Sequence, residues 1–202
     1  MNKRFWLDTN VKIKFDYIGR IDLISKILPD NTITVTGRLI GEYSNSGTVF
    51  QQAMNFDLPH QPILVISDST LSSHMHDKIR VAVENLRCGT LTTFNKIPIP
   101  DQEGIQLGLQ DYILLTDDFR HIRKHEDKLD LTCVGGAGIL LANVIKGNLS
   151  SSWAGRYYKI WRKHDPKWVS SHYSSFSDLL KDDGVRLKIK RIFNLQNNGS
   201  EN

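Results

Sequence analysis

The chain has 202 residues, of which 40% are hydrophobic and 24% charged, with a formal net charge of +4; that suits one domain with an extension and a real core, and sets it apart from disordered and membrane compositions. No apolar run reaches the roughly 18 residues that a membrane span needs, and the start lacks the apolar stretch of a signal peptide. Two distant cysteines, Cys88 and Cys133, form neither a disulfide framework nor a CxxC zinc pair, so a reducing cytoplasm is the expected setting.

Residues 5–8 read as a short buried strand that ends in Asp8. From 11 to 28, apolar residues recur at Val11, Phe15, Ile18, Ile21, Leu23 and Ile24, a helical spacing stopped by Pro29-Asp30-Asn31. Residues 32–35 suit a brief strand, and Thr36 can cap a helix that carries Glu42. Residues 62–66 form a buried-strand pattern, followed by a helical stripe of Met75, Ile79, Val83 and Leu86. Pro98 and Pro100 stiffen the connection at 95–100. Then come a helix over 101–110, a strand over 112–116 that runs into Asp117 and Asp118, and a polar helix over 119–128. A strand over 131–134 and the turn Gly135-Gly136-Ala137-Gly138 lead into a helix over 139–147. Strands alternating with helices predict βαβ units and a largely parallel sheet.

In such a sheet, ligands and metals bind at the C-terminal edge of the strands. Asp8 and the Asp117-Asp118 pair are delivered there by apolar runs. Divalent hard cations take several oxygen ligands, so further acids are needed; Glu42, Asp101 and Glu103 are the candidates. Each acid alone has a plainer reading. Asp101 suits a first-turn dipole partner, Glu42 a solvated helix face, and Asp117-Asp118 a cap. His121 and His125 stand four apart, as zinc pairs do, but no third ligand accompanies them and a solvated face is expected. His74 and His76 are too far apart around a helix for joint ligation. The glycine turn lacks the Lys-Ser/Thr of a P-loop and reads as tight packing, and no GxSxG nucleophile motif occurs.

The charge is uneven. Residues 151–202 hold 10 Lys+Arg against 5 Asp+Glu and three of the four tryptophans, whereas residues 1–150 are near neutral. Trp153, Tyr157, Ile160 and Trp161 share one helical face, with Arg156, Lys159, Arg162 and Lys163 around the rest. Such a segment contacts RNA through phosphates and stacked bases, or packs its aromatic face on the sheet. Residues 185–193 alternate basic and apolar side chains, as an amphipathic strand or helix or a partner-binding surface would.

Leu7-Asp8-Thr9-Asn10-Val11, Leu114-Leu115-Thr116-Asp117-Asp118 and the stretch 134–147, in that order, resemble the PIN-domain family of metal-dependent ribonucleases, whose toxin members are VapC-like. The resemblance covers about residues 3–149. It implies a PIN-like α/β/α sandwich with a central parallel sheet, here with a C-terminal basic and aromatic extension over 151–202. It also implies a cluster of Asp8, Glu42, Asp101 or Glu103, and Asp118 that holds Mg²⁺ or Mn²⁺. The family's Thr-x-Asp pattern selects Asp118 over Asp117, leaving Asn10, Thr116 and Asp117 in support. The implied activity is RNA cleavage by the toxin of a toxin–antitoxin pair, with an antitoxin partner and a homodimer. The alternatives are an inactive RNA-binding or scaffold module, and a PIN nuclease in RNA processing or phage defence.

Overall fold

The computed structural model describes residues 3–28, 33–36, 63–66, 97–169 and 172–195. Its strands are β1 Arg4–Leu7, β2 Ile33–Thr36, β3 Ile63–Ile66, β4 Tyr112–Leu115 and β5 Thr132–Val134. They form one parallel sheet in the order 3-2-1-4-5. The described helices are α1 Thr9–Tyr17, α2 Asp22–Ser25, α3 Ile99–Gly108, α4 Gly136–Lys146, α5 Ser151–His164, α6 Phe176–Lys181 and α7 Asp183–Ile192, with 3₁₀ turns at Arg123–His125 and Pro166–Trp168. None of them is long and apolar enough to cross a membrane. Glu42, the helix expected around it and the helical stripe of residues 75–86 lie outside the described residues, as do His74 and His76.

Strands buried on both faces need unbroken apolar runs, and residues 5–7 of β1 and all of β4 supply them. Phe5, Leu7, Ile113, Leu115 and Val134 face a core built with α1, α2, α4 and the C-terminal helices. Trp6, Tyr112, Leu114 and Cys133 face the opposite side, where Ile105 and Leu107 of α3 cover them. Helices therefore flank the sheet on both sides.

Two helical expectations are corrected. The stretch 11–28 breaks into α1 and α2 because Gly19 adopts a left-handed φ of 63°. That conformation lets Gly19 N–H donate to the Asp16 carbonyl at 2.9 Å and Arg20 N–H to that of Phe15 at 2.8 Å, a Schellman closure that favours glycine. Residues 119–128 form turns and a single 3₁₀ turn instead of a polar helix. Asp118 captures the Arg120 and His121 amides at 2.7 and 2.8 Å, and side-chain capture of this kind competes with helix propagation.

The C-terminal segment is part of the main core. Trp161 is fully buried, its indole N–H donating to the Lys14 carbonyl at 2.9 Å and its ring meeting Phe15 edge-on at 5.2 Å. Phe193 stacks on Phe5 at 5.7 Å. The aromatic face thus divides: Tyr157 and Trp161 pack inward, while Trp153 and Ile160 are exposed. Residues 185–193 are helical, within α7 and its C-terminal end, with Ile189 and Ile192 buried.

Candidate metal centre

In β1 and β4, Leu7 lies opposite Leu115, and the Asp8 amide donates to the Leu115 carbonyl at 3.1 Å. Asp8 and Thr116 therefore emerge side by side at the C-terminal edge. From β1 the sheet continues to β2 on one side and to β4 on the other, which makes this boundary the topological switch point of the sheet. Helix α3 reaches β4 through a tight connection at 109–111, where Asp111 has a φ of 66°. A helix that turns back so sharply into a strand starts at the strand's far end, so the first-turn Asp101 lies at the same edge.

Asp8 is 4% exposed and heavily hydrogen-bonded. One carboxylate oxygen accepts from Thr116 Oγ1 and Asn10 Nδ2, each at 2.5 Å. The other accepts from the Asn10 amide at 3.4 Å, which caps α1, and from Thr9 Oγ1 at 3.3 Å. Burial pushes its carboxyl up to about 6, and the nearby Asp118 charge adds to the rise, while the Thr116 and Asn10 bonds oppose it. Thr116 Oγ1 also accepts from the Asp118 amide at 3.0 Å, and Asn10 Oδ1 from that of Asp117 at 3.1 Å. Asn10 and Thr116 thus tie the two acidic strand ends together.

Adjacent acids have different tasks. Asp117 pairs with the buried Lys14 ammonium at 2.7 Å and accepts from the Gly136 amide at 2.8 Å, so it binds α1 and α4 to the strand end. Asp118 places its second oxygen 3.0 Å from His121 Nδ1. Asp101 Oδ2 lies 3.2 Å from the same nitrogen. With the proton on Nδ1, the imidazole bridges two carboxylates that would otherwise repel each other.

Asp101, Asp118 and His121 each offer a ligand atom, and these atoms lie within 4.8 Å of one another. Two carboxylate oxygens and an imidazole nitrogen suit a divalent cation once Nδ1 has lost its proton. Of the two acids proposed on α3, Asp101 joins this group; Glu103 is buried on the same helix and lies outside it. Asp8 is not one of the three, but it is close enough to Asp118 to feel its charge.

His121 corrects the solvated-face reading of the histidines. It is partly buried between the two acids, whereas His125 sits in the 3₁₀ turn with its Nε2 buried. The spacing Asp118-x-x-His121 was the available signal, hidden by the assumption of a polar helix. Arg156, Lys159, Arg162 and Lys163 are all exposed on α5. No protein-family model, curated protein or solved structure matches the chain.

Proposed function

We propose that this chain is a metal-dependent endoribonuclease of PIN-like type. The carrying observation is the Asp101–Asp118–His121 group beside the buried Asp8, at the switch point of a parallel sheet. The family assignment itself rests on the motifs around Asp8, Asp118 and 134–147. When bound, Mg²⁺ or Mn²⁺ would stabilise charge on the phosphoryl oxygens and lower the pKa of a coordinated water. The chain's residues do the rest. Asp101, Asp118 and His121 would hold the cation. Asn10 and Thr116 fix the Asp8 carboxylate so that it faces the same space with no rotamer to search. Asp8, kept basic by burial, is placed to accept a proton.

RNA is the substrate class that fits the basic, partly aromatic surface of α5. On the resemblance alone, the nuclease is the toxin of a toxin–antitoxin pair, restrained by a partner protein and assembled as a homodimer. The test is incubation of total cellular RNA with wild type, Asp8→Ala and Asp118→Asn, with Mg²⁺ or Mn²⁺ or with EDTA. The expected result is metal-dependent cleavage by wild type only. Equal cleavage by all three proteins, or none with either metal, would overturn the proposal.

A further inference from the structure

The four exposed cations of α5 are not equivalent. Arg156 lies over the Trp153 ring at 4.8 Å. Lys159 and Arg162 instead line a cavity of about 580 Å³ between α5 and α6 that Lys163 does not reach. A cavity of that size lies within the roughly 300–1,000 Å³ of small-ligand sites.

The chemistry of its walls points to one kind of occupant. Besides the two cations, five serines line it: Ser151 and Ser152 in the first turn of α5, and Ser174, Ser175 and Ser177 at the start of α6. Among the described residues, none that lines it is acidic. The nearby Asp178 accepts from Ser174 Oγ and the Ser175 amide, so one of its oxygens is taken up by the α6 capping box. Tyr158, Phe176 and Leu180 supply an apolar floor. Cations and hydroxyls above an apolar floor match a phosphate joined to a planar base.

Tyr158 lines a second, smaller cavity of about 290 Å³ that reaches Asp117, the neighbour of Asp118. That cavity includes Phe119, which is 43% exposed and lies beneath the Arg123 guanidinium at 4.4 Å. Tyr158 itself is buried, so the two cavities share a wall.

We infer that the cavity between α5 and α6 is an anchoring subsite for a phosphate-bearing nucleotide of single-stranded RNA, separate from the metal centre. It takes the RNA class from the nuclease reading, but its test does not depend on cleavage. The probe is a fluorescein-labelled oligouridylate, titrated by anisotropy in EDTA across a salt series. The Lys159→Ala/Arg162→Ala protein should bind at least about tenfold more weakly. Its log–log salt slope should be shallower by about 1.4, since each phosphate of a single strand that is no longer neutralised removes about 0.7. Lys159→Glu should weaken binding at least about threefold, because it replaces one phosphate-neutralising charge with a repelling one. It leaves intact the hydrogen bond from Arg162 to the Ser174 carbonyl, so it decides the matter if the double variant unfolds. Lys128→Ala, equally exposed but outside both α5 and the cavity, should stay within about twofold of wild type.

Wild-type affinity and slope in both cavity variants would overturn the subsite. So would equal weakening by Lys128→Ala, which would mean diffuse charge, or no oligonucleotide binding by wild type. Failure of the nuclease reading looks different. RNA would stay uncut with either metal, or be cut by Asp118→Asn, while the cavity variants still weakened binding.

Discussion

Asp8→Asn tests the most unusual group in the structure. A carboxyl raised from 3.8 to about 6 by burial binds its proton more tightly in the native than in the unfolded state. The native state is therefore favoured below pH 4 and loses that advantage as pH rises to 6. At about 1.4 kcal/mol per tenfold change in proton affinity, the loss is about 3 kcal/mol by pH 7. Asparagine has the same shape and no charge, so its stability lacks this slope. It does cost a hydrogen bond, because its NH₂ must face either the Thr116 hydroxyl and Asn10 side-chain amide or the Asn10 backbone N–H, all of which now donate to Asp8; that subtracts about 1 kcal/mol. In EDTA, Asp8→Asn should be slightly less stable than wild type at pH 4 and about 2 kcal/mol more stable at pH 7. Asp22, held down to about 2 by the Arg20 guanidinium, acts below this window. His125, whose pKa is lowered by burial, loses stability as pH falls, equally in both proteins. Urea titrations at pH 4, 5.5 and 7 measure the difference. A wild type and variant with parallel pH profiles would refute the reasoning.

Mn²⁺ should raise the wild-type melting temperature with the logarithm of its concentration, the stabilisation reaching about 2.7 kcal/mol at a hundred times Kd. Asp118→Asn and His121→Ala should lose that rise, and Mg²⁺ should give a smaller one because an imidazole ligand favours transition cations; scanning calorimetry with and without each ion decides it. Lys14→Met should destabilise the chain by about 3 kcal/mol in chemical denaturation, since it strips the partly buried Asp117 of its buried ammonium partner; a change below about 1 kcal/mol would show that the pair adds little.

The sheet was largely legible because its signal is local. A strand covered on both faces needs an unbroken apolar run, and 5–7 and 112–115 have one; the acids that follow them then have to lie at the C-terminal edge. The choice of Asp118 over Asp117 as the acid at the centre came from the resemblance, and the Lys14–Asp117 pair supplies a physical reason for it. Lys14 itself could not be read, since a lysine on a short helix looks solvated until an acid arrives from 103 residues away. His121 was missed for a related reason. Its partners are Asp118, three residues back, and Asp101 on α3, and only the second contact makes it part of a site.

The sequence by itself determined the alternation of elements, the two acidic strand ends and the basic, aromatic character of the last quarter of the chain, because apolar period and residue chemistry are properties of short segments. The tertiary structure decided which carboxylate meets which partner. It set Asp101 with Asp118 around His121, gave Asp117 to Lys14, sent Trp161 inward and left Trp153 outside, and brought the serines at the start of α6 to Lys159 and Arg162. Those outcomes depend on how helices dock on the sheet, and docking joins residues that no local spacing relates.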